Sequence, residues 1–250
     1  MSKPEPLFAS LFDAHHSTYF EDLPFWKGLA ELYGDPILEL GCGSGRVLIP
    51  LAREGHYVFG LDQDFAMLKL ARLHTPLSLN SSVNLFQADL RRFRLNKCFP
   101  LIILPCNMLS TLFGETRHEA LQLVNEHLKV GGVFAASMAN PVILSRLPAV
   151  GEPEIDEFIP HPVTGNVVQV SCEWNRNHER FRLSWHYDHL LLDGRVQRVT
   201  SQADHDLSSI DIYLADLRNA GLEPIATYGD FEGSGYDDKS QHLILVAERA

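Results

Sequence analysis

The chain lacks any run of about 18 or more apolar residues, and its N-terminal stretch MSKPEPLFASLFDAHHST lacks the apolar core of a secretory signal peptide. Basic residues are also scarce: 21 Lys and Arg stand against 32 Asp and Glu, for a net charge of −11. Because a broad phosphate-binding face needs clustered Lys and Arg, these counts argue against a nucleic-acid-binding protein. We therefore expect a cytoplasmic protein with neither a membrane partner nor a nucleic-acid partner.

Cysteine is sparse as well, and its spacing carries no metal-binding or redox motif. The four cysteines, at positions 42, 98, 106 and 172, form no C-x-x-C pair, which leaves a zinc site or a thioredoxin-like motif unsupported. The 12 histidines show no ligand spacing, and the adjacent His15 and His16 cannot chelate from one helix face. We predict no metal ion.

What the sequence does contain is a regular alternation of strand and helix signals. Short apolar runs predict strands at 37–40, 56–62, 82–89, 100–107, 133–139, 223–230 and 242–249. Helical periodicity separates most of them, with helices predicted at 46–54, 64–74, 116–129 and 208–220. This alternation predicts an α/β fold, a doubly wound and mostly parallel seven-stranded sheet with helices on both faces and an antiparallel last strand.

Two regions stand outside that alternation. The first 35 residues are predicted to form an N-terminal helical cap on a domain covering 36–250. Within about 165–207, three segments alternate with period two and are joined by the turns NRNHE and LDGR. This pattern predicts an inserted three-stranded antiparallel ribbon, which is too small to fold alone and must pack on the α/β body.

A glycine-rich turn follows the first strand in ILELGCGSGR, with Gly41, Gly43 and Gly45 before a helix. Glycines permit positive φ angles and let a ligand lie against bare backbone, while the helix N-terminus offers free N–H groups. A dinucleotide fingerprint requires a third glycine where this chain has Arg46, and no P-loop motif is present. A nicotinamide-dependent dehydrogenase is therefore the weaker alternative.

ILELGCGSGR resembles motif I of the class I (Rossmann-like) S-adenosylmethionine (SAM)-dependent methyltransferases of the small-molecule-modifying type. Three further segments agree with this family in order and spacing, namely GLDQD, FQADLRRF and PCNML. The resemblance implies SAM as the cofactor and S-adenosylhomocysteine (SAH) as the product. The cofactor-binding positions that it implies are Tyr19, Glu39, Gly41, Cys42, Gly43, Gly45, Asp62, Gln63, Asp89, Leu90 and Asn107.

Within this resemblance, three positions have specific implied roles. Asp62 matches the acid that holds the ribose hydroxyls, and Asp89 matches the residue that contacts the adenine amino group. Asn107 would lie at the junction of cofactor and substrate. The chemistry of SAM agrees, because SAM carries a sulfonium cation, an ammonium group and hydroxyls but no pyrophosphate, so that acids suit its site better than a phosphate cradle does.

The residues that act on the methyl acceptor are less defined. The segment PCNML lacks the N/D-P-P-Y/F pattern of amide- and nucleobase-directed enzymes. The inserted ribbon is expected to cover the substrate, and its weak catalytic candidates are His186, Tyr187 and His189. The hypothesis is a methyltransferase, monomeric or homodimeric, that transfers a methyl group to an N or O atom of a small molecule. The alternative is a non-catalytic SAM-binding regulatory protein on the same fold.

Overall fold

The computed structural model describes residues 6–250. Its strands are β1 Ile37–Leu40, β2 Val58–Asp62, β3 Val83–Gln87, β4 Phe99–Leu104, β5 Leu128–Ala139, β6 Val150–Pro160, β7 Val167–Arg176, β8 Arg180–Leu190, β9 Val196–Asp206, β10 Leu222–Tyr228 and β11 His242–Arg249. Its α-helices are α1 Pro6–His16, α2 Leu23–Tyr33, α3 Leu48–Arg53, α4 Phe65–His74, α5 Glu115–His127, α6 Pro141–Arg146 and α7 Ile210–Asn219, with short 3₁₀ turns at Leu77–Leu79 and Met108–Thr111.

Seven strands form one sheet in the order β10-β11-β5-β4-β1-β2-β3. The pairs from β3 to β5 are parallel, whereas β11 runs antiparallel to both of its neighbours. This arrangement confirms the predicted doubly wound sheet with its antiparallel last strand. The strand order reverses between β1 and β4, and ligands bind at such a switch point beyond the carboxyl ends of the strands.

Buried apolar side chains pack on both faces of this sheet. Leu38 and Leu40 of β1 join the cluster beneath α5 and α7, while Ile37 joins the cluster beneath α2 and α3. The strand therefore buries alternate side chains on opposite faces, as a central parallel strand must. Pro50 is the third residue of α3, and the missing N–H costs little there because the first turn has no intrahelical partner for it.

The insertion contains one strand more than the sequence predicted. It is a separate four-stranded antiparallel sheet in the order β6-β7-β8-β9, which we call the roof sheet (residues 150–206). The three predicted strands are confirmed as β7, β8 and β9. The fourth strand, β6, was missed because its sequence, VGEPEIDEFIP, contains two prolines and four acids that hide its alternation. The helix α6, which leads into it, was also missed.

The helix α1 lies beneath the roof sheet. Leu11 of α1 is fully buried in an apolar cluster with Ile159, Val168, Val170 and Tyr187. Residues 1–5 of the predicted cap lie outside the described residues. Within the described chain, no helix is both long and apolar enough to cross a membrane.

Candidate active site

The glycine turn lies directly after β1, at the carboxyl edge of the sheet. Gly41, Gly43 and Gly45 have φ angles of +68°, +52° and +90°, a region that side chains with a Cβ rarely adopt. At Gly43 a Cβ would meet nothing within 4 Å, and at Gly41 it would meet only the side chain of Met108, at 3.2 Å. The backbone at Gly43 is therefore open to a ligand.

Gly45 is required both for its positive φ angle and for close packing against Ile49. A comparison with Gly55, which has only the first requirement, tests this. Both residues have left-handed φ angles, +90° and +100°, so an alanine costs about 1–2 kcal/mol at either position. Only at Gly45 would the new methyl clash, since it would lie 2.7 Å from Cδ1 of Ile49, while at Gly55 nothing lies within 4 Å. We expect Gly45→Ala to lose a further ~1–3 kcal/mol in urea unfolding. Equal losses in the two variants would contradict this close packing.

Asp62 ends β2 and organises the glycine turn. Its carboxylate accepts hydrogen bonds from the backbone N–H groups of Gly43 and Asp64, both at 2.8 Å. Burial raises the pKa of Asp62, and those N–H groups oppose the effect. Each oxygen retains lone pairs, so the carboxylate can still accept hydroxyl hydrogen bonds.

Glu39 gives the clearest test of whether this site fits SAM. Its side chain is only 3% exposed, and Oε2 has no hydrogen-bond partner within residues 6–250. Burial raises the pKa of Glu39 well above its usual range, although the charge of Arg46 opposes this. A buried carboxyl oxygen without a partner, in the wall of an open cleft, suits the cationic amino group of a bound ligand. The residues present therefore fit SAM.

Arg46 joins the glycine turn to the segment between α1 and α2. Its guanidinium donates to both carboxylate oxygens of Asp22, at 2.6 and 2.7 Å, and to the carbonyl of Tyr19, at 2.9 Å. Asp22 is 1% exposed and also accepts from the indole N–H of Trp26, at 2.9 Å. The fourth contact of Arg46 is the sulfur of Cys106, at 2.7 Å. A two-pronged buried ion pair thus fixes the helical segment against the turn.

These elements line an open cleft between the glycine turn and α1. It brings together five predicted cofactor positions, Tyr19, Glu39, Gly41, Cys42 and Gly43. The other lining residues are Phe12, Asp13, His16, Ser17, Ser44, Arg46, Val47, Met67, Pro105 and Cys106. Burial, followed by the charge of Asp22, raises the pKa of Tyr19 to about 12, so its hydroxyl is protonated at neutral pH.

The remaining predicted cofactor positions do not line this cleft. Asp89 follows β3, and its carboxylate is bound by the side chain and backbone N–H of Arg91, which lowers the pKa of Asp89 to about 2. Leu90 packs against the core, and the carbonyl of Gln63 accepts from Gln87.

Asn107 makes mainly structural contacts, although the sequence predicted it to lie at the cofactor–substrate junction. Its φ angle is +64°, and its side-chain oxygen accepts from the backbone N–H of Ala139 at 2.6 Å. Its own N–H donates to the carbonyl of Ser137 at 2.9 Å. Asn107 thus ties the end of β4 to β5 and leaves the preceding Cys106 in the cleft wall. Its role toward a ligand stays a prediction.

None of the three catalytic candidates lines this cleft. Tyr187 is fully buried, and its hydroxyl lies 3.1 Å from Nδ1 of His15. His189 is 4% exposed and stacks on His161 with ring centroids 3.9 Å apart. His186 contacts the hydroxyl of Thr200 at 2.9 Å. Period-two alternation grouped these side chains by face but could not show which face is covered by α1.

Sequence reasoning missed the residues that α1 contributes, above all His16 and its neighbour His15. His15 Nε2 lies 2.9 Å from Asp156 and 3.5 Å from Glu157. Two consecutive strand residues reach one imidazole because the register of β6 shifts between Ile155 and Glu157. Ligand atoms of these three side chains lie within 4.8 Å of one another, so the expected absence of a metal stays a prediction. The adjacent histidines were a visible signal, but they were weighed only as metal ligands.

Comparison with known proteins agrees with this geometry. Residues 37–132 match a family model described as a methyltransferase domain. A Geobacillus sp. (strain WCH70) protein whose name describes it as a methyltransferase is 22% identical over 220 residues, which covers 85% of this chain and 84% of that protein.

Solved structures share the fold over nearly the whole chain. The CcbJ methyltransferase of Streptomyces caelestis aligns with a TM-score of 0.77 and 20% identity, over 99% of this chain and 100% of that one. SAM-bound CalS10, an amino pentose methyltransferase of Micromonospora echinaspora, aligns with a TM-score of 0.71 and 20% identity, over 96% of both chains. Residues 37–132 therefore match a methyltransferase domain, and the chain as a whole shares the fold of these methyltransferases.

Proposed function

We propose that this enzyme transfers the methyl group of SAM to a nitrogen or oxygen atom of a small molecule by in-line displacement, with nitrogen as the favoured target. The observation that carries the proposal is the cleft between the glycine turn and α1, whose wall includes Glu39 with its unpartnered Oε2. The likeness to an amino pentose methyltransferase favours an amine as the acceptor.

Bound SAM supplies an activated methyl group: the acceptor lone pair forms a bond to the methyl carbon while the carbon–sulfur bond breaks and its electron pair stays on sulfur. The residues of the chain bind and orient the two reactants and exclude water from the site. Asp62 would accept the ribose hydroxyls, the open backbone at Gly43 would lie against the ligand, and Glu39 would face the amino group. Asp89 would contact the adenine amino group.

We further propose that residues 1–35 act as a cap over the cofactor on the domain of 36–250. Tyr19 and His16 line the cleft from this segment, and the Asp22–Arg46 pair fixes it to the glycine turn. The guanidinium of Arg46 already lies 5.2 Å from the ring centroid of Tyr19. An aromatic ring in this position attracts cations, which suits the sulfonium.

Calorimetry followed by a turnover screen tests the proposed function. SAM and SAH should bind with dissociation constants near micromolar, about −8 kcal/mol. Labelled methyl transfer from SAM should then be screened against amino sugars, other amines and phenols. Binding without turnover of any acceptor would favour the regulatory alternative, and no binding at millimolar SAM would defeat both. Turnover of phenols alone would overturn the preference for nitrogen.

Asp62→Ala should weaken SAM binding by about 1–3 kcal/mol, because it removes an acceptor of charge-assisted hydrogen bonds. Calorimetry measures the loss, and a thermal scan shows that the variant is still folded. Asp193→Ala is the matched control, since Asp193 is about half exposed and pairs with Arg195 in the β8–β9 turn. Unchanged affinity in Asp62→Ala would mean that the ribose lies elsewhere.

A further inference from the structure

We propose that His16 accepts a hydrogen bond from an N–H group of an amine methyl acceptor and so aims the lone pair of that nitrogen at the methyl group. This role rests on the proposed function. It assigns a residue to the methyl acceptor, whereas the predicted cofactor positions are assigned to SAM. His16 lines the same cleft as Glu39, Gly43 and Arg46.

The hydrogen bonding of His16 fixes the tautomer of its imidazole. Nδ1 of His16 lies 3.0 Å from the carbonyl oxygen of Phe12, one helical turn earlier in α1. A carbonyl oxygen can only accept, so Nδ1 carries the hydrogen and Nε2 presents a free lone pair. No hydrogen-bond partner occupies Nε2 among the described side chains and backbone. The side chain is therefore an acceptor with its acceptor atom unused.

Packing also fixes the ring of His16 in place. It stacks on the ring of Phe12, with centroids 4.0 Å apart and planes 17° from parallel. Trp185 of the roof sheet approaches it edge-on, with centroids 6.1 Å apart and planes at 86°. An acceptor atom held by packing on two sides orients a substrate better than one on a free side chain.

The imidazole of His16 is neutral at physiological pH. Burial, followed by the nearby His15, lowers the pKa of His16 to about 4. Arg46 of the glycine turn lowers it as well, while the bond to Phe12 and the charge of Asp156 on β6 oppose the shift. Asp13 of α1 lines the same cleft. A neutral imidazole keeps its lone pair and does not repel a sulfonium.

Proton balance defines the role further. During transfer to an amine the positive charge passes from sulfur to the acceptor nitrogen, which keeps its own hydrogens, and His16 takes no proton. The amine must arrive uncharged and must carry at least one N–H. A tertiary amine has none, so it is excluded as a substrate of this arrangement.

Nuclear magnetic resonance of ¹⁵N-histidine-labelled protein tests the arrangement without any acceptor. The signals that disappear in His16→Gln identify His16. We expect hydrogen on Nδ1 and a bare Nε2 at pH 7. A hydrogen on Nε2 would overturn the proposal.

Kinetics with the best acceptor from the turnover screen test the role itself. His16→Phe keeps the ring packing but has no acceptor atom, and we expect kcat/KM to fall by roughly 10- to 100-fold, mainly through kcat. His16→Gln retains an acceptor oxygen and should lose less. The affinity for SAH should stay within about twofold, and His118→Gln on the exposed face of α5 should match the parent enzyme.

The outcomes separate this proposal from the proposed function. If His16→Phe methylates the acceptor as well as the parent enzyme does, the role of His16 is overturned but the proposed function is not. The same holds if a loss of SAH affinity accounts for the whole kinetic effect. A screen without any turnover overturns the proposed function together with this role. In the parent enzyme, kcat/KM should rise with pH as the acceptor amine loses its proton, with no second inflection between pH 5 and 8 from His16.

Discussion

Asp22→Asn should cost about 3–5 kcal/mol of stability, because it removes the charge that compensates a buried guanidinium. The side chains of Arg46 and Asp22 are 13% and 1% exposed. An amide accepts through one oxygen only, so it cannot satisfy both prongs of Arg46 together with the indole N–H of Trp26. The free energy of unfolding in urea measures the loss.

Lys27→Ala in α2 is the matched control. Lys27 pairs with Glu54 at 2.6 Å, with side chains 36% and 52% exposed, and an exposed pair of this kind contributes only about 0–1 kcal/mol. We also expect Asp22→Asn, but not Lys27→Ala, to bind SAH more weakly, since Asp22, unlike Lys27, joins the segment between α1 and α2 to Arg46 of the glycine turn. Similar losses in the two variants would contradict that role. Adding Arg46→Met to Asp22→Asn should restore part of the stability, because no buried charge then lacks a partner.

Arg117→Met should also cost about 3–5 kcal/mol. Arg117 is 2% exposed and contacts Asp206 at 2.5 Å and Asp216 at 2.7 Å, with the ring of Tyr213 centred 4.3 Å from its guanidinium carbon. Removing the guanidinium leaves Asp206, a largely buried carboxylate, without its cation. Because these residues belong to α5, the end of β9 and α7, the roof sheet should loosen from the α/β body.

Urea unfolding again measures the effect, with Arg94→Met as control. Arg94 pairs with Glu126, and both side chains are more than half exposed, so we expect a loss of at most ~1 kcal/mol. Neither Arg117 nor its partners line the cleft, so folded Arg117→Met should bind SAH normally. Stability within 1 kcal/mol of the parent would refute the importance of this network.

Local patterns were sufficient to predict the α/β body. Most strands of the seven-stranded sheet are short apolar runs bounded by polar or glycine residues, and the glycine turn is marked by residues that tolerate positive φ. The strand β6 did not follow this rule. Pro153 and the acids around it interrupt the alternation, although β7 pairs with it along most of its length.

The sequence predicted only those parts of the site that one continuous motif contains. A single short segment contains Glu39, Gly41 and Gly43, and all three residues line the cleft. The contacts of His16 depend instead on how α1 docks under the roof sheet. The candidates of β8 failed to reach the cleft for the same reason. Alternation says which side chains share a face, but the covering of that face by α1 is a tertiary contact that no local pattern records.

The position of β11 in the sheet has a consequence for biosynthesis. It lies between β5 and β10, with His242 paired to Ala139, and it follows every other strand of this sheet in the sequence. While the chain is being made, β1 to β5 can already pair beside a formed glycine turn, but one edge of β5 remains open until β11 leaves the ribosome. An open edge next to buried apolar residues is a site for mispairing and aggregation. Expression in cells with few chaperones should therefore accumulate nascent chains in which the SAM-binding half has formed but the sheet is incomplete.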